Sequence, residues 1–253
     1  MVEQLPLTAL LNKALAGPVN ALLNAVHVHA ENSQAPISNA VAMELLVVVI
    51  MLLVFVLVRA RLSVENPGGL QHVFEGLHGF IQGQSDEIIG HHSEPYTPFL
   101  VALFTFVLIA NLLGLVPGFE SPTAVPYVPL GLALCAFLYY NAMGIKKQGV
   151  GRYAAHFMGP SDKDMSLVIR VPLAVLMIPI EIVSHVARVM SLTIRLFANM
   201  FAGDMVTLVF FSLVPLGIPV LFLGLHLFVS LLQAYIFALL TTVYLAGAVA
   251  EEH

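Results

Sequence analysis

The chain alternates long apolar runs with short polar segments, and the runs have the length of membrane-crossing helices. The first is Val41–Val58, "VAMELLVVVIMLLVFVLV", followed by Arg59 and Arg61. The next two are Phe99–Val116, ended by Pro117 and Gly118, and Val125–Ile145. Then come an unbroken stretch from Leu167 to Val214 and a last run, Val220–Ala250, ended by "EEH". A hydrocarbon core of about 30 Å takes about 20 apolar residues in a helix. Between the first two runs lies "ENPGGLQHVFEGLHGFIQGQSDEIIGHH", where Val73, Phe74, Leu77, Phe80 and Ile81 recur at helical spacing among Gln, Glu and His. That pattern predicts an amphipathic helix lying at the membrane interface rather than a span.

As one helix, Leu167–Val214 would be about 70 Å long, more than twice the hydrocarbon core. It is either two spans or one steeply tilted helix, and the absence of a polar break before Pro215 favours one. The turn "VPLGIP" then folds the last run back as a hairpin. The expected fold is an all-α membrane protein with about five crossings. Residues 1–39 read as an extramembrane segment of short amphipathic pieces, and residues 40–253 as a single membrane domain.

Composition narrows this further. The chain is 59% hydrophobic and 10% charged, whereas soluble domains carry about 25% charged residues. With a mean hydropathy of +0.92, a soluble fold is excluded. A membrane β-barrel would show short alternating segments instead. Charge position says more than the net charge of -5. Arg59 and Arg61, and the loop carrying Lys146, Lys147, Arg152 and Lys163, flank the second and third runs. If those runs form a hairpin, both clusters share one side, which the positive-inside rule makes cytoplasmic. The N-terminus is then outside and the C-terminus cytoplasmic. Cys135 is the only cysteine, which leaves no intrachain disulfide. "MVEQLPLTALLNKALAG" lacks the basic start of a signal peptide. His27, His29, His91 and His92 read as surface positions, no metal or cofactor is expected, and no Walker motif suggests a nucleotide site.

The chemistry sits in the last two runs. Leu167–Val214 carries Glu181, Ser184, His185, Arg188, Ser191, Arg195, Asn199 and Asp204. At about 100° per residue, Arg188, Ser191, Arg195 and Asn199 fall within about 80° of one another, and Asp204 points roughly opposite to Arg195. The last run carries His226, Ser230, Gln233 and Tyr244. Measured from a turn near Leu216–Gly217, Asp204 matches the depth of His226, and Arg195 that of Gln233, within about a helical turn. Asp204 lies roughly 20 Å along the helix from the turn and Arg195 roughly 30 Å. An arginine at the membrane centre costs roughly 2.5–3.5 kcal/mol and usually faces a cavity or a partner. Taken singly, Arg188 could snorkel to the interface, Asp204 could be a structural acceptor and His226 a core histidine. Jointly they suggest a proton pathway. A guanidinium stays charged, and Arg195 has no well-placed acid on its own face of the hairpin, which points to a carboxylate on another subunit.

"SLTIRLFANMFAGD", "HLFVSLLQAYIFALLTTVYLAGA", "IANLLGLVP", the loop ending "HFMGP" and the terminal "EEH" together resemble the subunit a family of bacterial F-type ATP synthases. The resemblance spans roughly Val41 to His253. It implies a non-catalytic stator of the bacterial inner membrane beside a rotating c-ring, held by peripheral-stalk b subunits, within lipid and without nucleic acid. It implies that Arg195 faces the rotor carboxylate, with Asn199 and Gln233 as its polar neighbours. Asp204 and His226 match the outer half-channel. Glu181, Ser184 and Ser191 match positions near the cytoplasmic half-channel, where Arg188 is a further candidate. The two long last helices of the family lie strongly tilted along the ring. The coupled ion is H⁺, with Na⁺ the alternative, and a stand-alone proton-coupled transporter or channel is the competing function. Asp204 stands where many members have Glu, "SPTAVPYVP" lacks an Asp and Asn common after "PTA", and Gly114 replaces an acid found in some relatives. Asn111, Glu120 and Glu44 are therefore the candidate substitutes in the outer lining.

Overall fold

The computed structural model of the chain describes residues 5–25, 34–90, 93–116, 118–156, 167–213 and 217–250. The expectations for His27, His29, His91, His92, Lys163 and the terminal Glu251–His253 fall outside the described residues. Eight α-helices follow one another among those described: α1 (Pro6–Ala25), α2 (Asn39–Ala60), α3 (Gly69–Ile89), α4 (Thr97–Leu113), α5 (Tyr127–Gln148), α6 (Val150–His156), α7 (Leu167–Leu213) and α8 (Ile218–Val249). A single 3₁₀ turn, Pro122–Ala124, precedes α5. No strand occurs among the described residues, and the protein is an all-α membrane protein.

Among the described residues, α2, α5, residues 175–213 of α7 and residues 220–249 of α8 are long and apolar enough to cross a membrane. The shorter α4, 17 residues, is apolar nearly all round, and such a helix belongs inside a bundle. Leu100, Leu103, Phe104, Val107 and Ala110 of α4 are buried. They share one core with Ala133 and Ala136 of α5, Leu196 and Met200 of α7, and Phe237 of α8. The long stretch from Leu167 is one continuous helix of 47 residues, as the missing polar break implied. It accommodates Pro172 and Pro179, each of which removes one backbone donor. The run expected to end at Val116 stops as a helix at Leu113.

Local chemistry sets the boundaries. Ser38 caps α2, its Oγ accepting from the Val41 N–H at 3.4 Å, and the same hydroxyl lies 3.0 Å from the Tyr127 hydroxyl at the start of α5. Gly217 turns the chain between α7 and α8 at φ 87°, a conformation that a Cβ disfavours. The segment expected as short amphipathic pieces contains one helix of 20 residues, α1, with Pro18 inside it. Asn12 ties α1 down: its Nδ2 donates to the Ile37 carbonyl at 3.0 Å and its Oδ1 accepts from the Ile37 N–H at 2.9 Å.

The amphipathic α3 forms as expected and is not among the candidate spans. It packs on α4 and α8. Gln82 Nε2 donates to Asp86 at 3.0 Å and to Ser93 Oγ at 2.8 Å, and Thr97 donates to Gln82 Oε1. Tyr235 of α8 donates to Gln84 at 3.0 Å. The long hairpin is thus braced by α4 and α5 along its inner side and by α3 across α8.

Candidate functional site

The packed seam of α7 runs through His185, Leu192, Leu196 and Met200, all buried. At about 100° per residue, Glu181, Arg188, Arg195 and Asn199 lie along one edge of that seam and Asp204 along the other. Asn199 and Asp204 nevertheless both reach α8, through Gln233 and His226. So α8 passes from one edge of α7 to the other between these two contacts.

Near the α7–α8 turn, Asp204 Oδ1 lies 3.8 Å from His226 Nδ1. The carboxylate side chain is 27% exposed, whereas the imidazole is 3% exposed. Asp204 opens onto a cavity of about 320 Å³ that Glu120, Ser121, Thr207, Phe211 and His226 also line. Two glycines make the close approach: a Cβ on Gly203 would stand 2.7 Å from His226 Nδ1, and one on Gly114 would stand 2.9 Å from Ser121 Cβ and 3.3 Å from Asp204 Oδ1. The imidazole thus lies against the α7 backbone, and the end of α4 closes over the carboxylate.

One stretch further along, Arg195 is half-buried and its Nη2 donates to Ser191 Oγ at 3.1 Å. Among the described residues no carboxylate pairs with it. Gln233, expected at the depth of Arg195, accepts from Asn199 Nδ2 at 2.8 Å, one helical turn nearer the cavity. Gln233 is buried and Asn199 exposed, so the amide pair joins the packed interior to the open face of α7.

At the far end of α7 the candidates come together differently. Glu181 Oε1 lies 3.4 Å from His185 Nε2 and 4.0 Å from Arg188 Nη2. His185 Nδ1 meets the Tyr140 hydroxyl of α5 at 3.0 Å. The Arg188 guanidinium sits 5.3 Å from the centre of the Tyr244 ring of α8, a cation–π contact. Tyr153 of α6 donates to Asn141 Oδ1 at 2.6 Å. Burial raises the Tyr153 phenol above its ordinary range, so the hydroxyl remains a donor. Ser184 stands apart, its Oγ bonded at 2.8 Å to the Ile180 carbonyl of its own helix.

The three substitutes for the outer lining separate. Glu120 lines the cavity and is exposed, with Asn39 Nδ2 at 3.5 Å. Asn111 is fully buried behind it: its Oδ1 accepts from Thr123 at 2.6 Å and its Nδ2 donates to the Ser230 carbonyl at 3.5 Å. Glu44 is half-buried on α2 and does not line the cavity. Residues without a role in the sequence reading join the site: Tyr140 and His185 at the far end, Ser121, Thr123 and Thr207 at the cavity. His185 was legible as a polar residue in an apolar run. Tyr140 and Thr207 carry no such signal, because tyrosine and threonine are ordinary in membrane helices.

Comparison with known proteins follows the same residues. Residues 41–246 match the family model described as "ATP synthase A chain". The "ATP synthase subunit a" of Koribacter versatilis (strain Ellin345) is 53% identical over 253 residues, 100% of both chains. That of Solibacter usitatus (strain Ellin6076) is 54% identical over 242 residues, covering 96% of this chain and 99% of the relative. The subunit a of Campylobacter fetus subsp. fetus (strain 82-40) is 40% identical over 212 residues, covering 81% and 90%. A lone arginine, an acid–imidazole pair beside a cavity and a bracing bundle are thus found in a chain that matches this family nearly end to end, and the chain belongs to the ATP synthase A chain family, the proton-translocating subunit of the membrane sector of F-type ATP synthases.

Proposed function

We propose that this chain is the stator that offers two offset half-channels to a ring of carboxylate-bearing rotor helices. Protons coming from outside enter the cavity at the α7–α8 turn and pass through Asp204 and His226 to a rotor carboxylate held at Arg195. Once neutral, that carboxyl turns into lipid. It releases its proton, after nearly a full turn, at the end of α7 that carries Glu181, Arg188, Ser184 and Ser191. Arg195 stabilises each arriving carboxylate by charge and blocks a direct leak between the half-channels. A charge crossing the membrane carries roughly 2.3 kcal/mol per 100 mV. Peripheral-stalk b subunits hold the stator still.

The observation that carries this reading is the state of Arg195. It is half-buried among core residues, bonded to one serine, and without a carboxylate among the described residues. Such a cation is costly unless a partner brings the negative charge. The orientation rests on Arg59, Arg61, Lys146, Lys147 and Arg152, which gather at the C-terminal ends of α2 and α5 and in α6. Those ends are placed in the cytoplasm, so the N-terminus is outside and the C-terminus inside. Arg195→Ala is expected to abolish ATP-driven proton pumping while ATP hydrolysis by the detached catalytic part persists. Coupled pumping at the normal rate would overturn the reading.

A further inference from the structure

The cavity and the rotor-facing amides do not touch. His226 closes the cavity, and Gln233, which bonds Asn199, lies seven residues further along α8. Seven residues of helix span about 10 Å, too far for a proton to pass directly. Between them α8 runs Leu227, Phe228, Val229, Ser230, Leu231, Leu232, so Ser230 carries the one polar side chain of the interval.

Ser230 is completely buried, and its Oγ has no hydrogen-bond partner among the described residues. The same holds for His226 Nε2. A buried polar atom left without a partner costs about 1–3 kcal/mol, so two neighbouring ones in a packed bundle call for a shared partner. His226 and Ser230 are four residues apart and thus neighbours on one helix face, with Cβ atoms about 5–6 Å apart. A single bridging water suits that spacing. Nδ1 lies 3.8 Å from Asp204 Oδ1, which leaves Nε2 on the other side of the ring. The wall opposite is polar and fixed, because the Asn111 side chain, held by Thr123, reaches the Ser230 backbone at 3.5 Å.

We propose that Ser230 is the hydroxyl link between the cavity and the Gln233–Asn199 amides, with water bound between it and His226 Nε2. This rests on the proton-pathway reading above. In each transfer the Ser230 oxygen accepts one proton from the water on His226 as its own passes to water held along the Gln233–Asn199 amides and on to the rotor carboxylate. The side chain returns unchanged, the amides only orient that water, and no co-reactant is needed. The role needs a hydroxyl rather than a particular volume. An alanine at this position leaves His226 in place and interrupts the chain.

Passive proton conduction through membranes stripped of the catalytic part tests this. Ser230→Ala is expected to slow conduction several-fold at unchanged assembly with the rotor, and Ser230→Thr to restore most of it. Ser230→Cys is expected to become sensitive to silver ions, which need a wet thiol. Wild-type conduction by Ser230→Ala would overturn the link, and so would equal slowing by Ser230→Ala and Ser230→Thr. If the alanine variant does not assemble, Ser230→Cys decides, and indifference to silver overturns the proposal. Asp204→Asn is measured alongside for passive conduction, and Arg195→Ala for ATP-driven pumping. If Asp204→Asn blocks conduction and Arg195→Ala abolishes pumping while Ser230→Ala conducts normally, the Ser230 link alone falls. If Asp204→Asn conducts normally and Arg195→Ala pumps normally, the underlying pathway falls with it.

Discussion

The two ends of the α7–α8 hairpin hold similar residue types in opposite states. At the far end, Glu181, His185, Arg188, Tyr140 and Tyr244 form a network in which Glu181 lies 3.4 Å from the imidazole and 4.0 Å from the guanidinium, and each of those two also meets a tyrosine. At the turn end, Asp204 meets His226 at 3.8 Å, beyond a normal hydrogen bond, beside a cavity of about 320 Å³. Fixed partners hold helices in register, and their loss appears as stability. A loosely held acid beside open volume can take up and pass on a proton, and its loss appears as conduction. The same residue types thus form a bonded network that also packs the helices at the release end, and stand beside open volume at the entry end.

Asp204→Asn should give the largest divergence between the ends. It removes the titrating group without changing shape, so proton conduction should fall severely while the assembled complex melts at an unchanged temperature. A melting shift as large as the conduction loss would erase the contrast. Gly203→Ala comes next. Its Cβ would stand 2.7 Å from His226 Nδ1, so the imidazole must shift and conduction should drop part of the way, which rates in stripped membranes would show.

At the far end, Tyr140→Phe removes the hydroxyl that meets His185 Nδ1 at 3.0 Å. The loss should be about 1 kcal/mol of stability, read in detergent denaturation, with pumping largely kept. Strong loss of pumping at normal stability would place Tyr140 in the transfer path instead. Ser184→Ala should change least, since among the described residues that hydroxyl bonds only to the carbonyl of Ile180 on its own helix. Growth on a respiratory substrate and pumping rates should both match the unaltered protein.

The spans, the interfacial helix and the long α7 were legible because each is a property of one segment. Apolar length and helical period suffice to find Val41–Val58, the pattern around Val73–Ile81, and the run from Leu167. Depth matching across the turn also sufficed for Asp204 with His226, since two antiparallel helices share one rise per residue. It placed Gln233 opposite Arg195, but the bond forms with Asn199, one turn away. Depth says nothing of which edge α8 follows, and the crossing of the two helices decides that. The outer lining shows the same limit. Asn111, Glu120 and Glu44 were equivalent as polar residues near one membrane face, yet one is buried behind the cavity, one lines it and one does neither.

By itself the sequence determined the membrane class, the helices, the costly arginine and the acid–imidazole pair, all from composition, period and spacing. The tertiary structure decided what each polar group touches. It set His185 against Tyr140, opened a cavity at Asp204, and left Ser230 Oγ and His226 Nε2 buried without a hydrogen-bond partner among the described residues. These outcomes depend on helices distant in sequence closing around a side chain, and on glycines such as Gly114 and Gly203 that let them approach. Periodicity records which face of a helix is polar, and packing alone determines whether that face meets a partner, a cavity or another subunit.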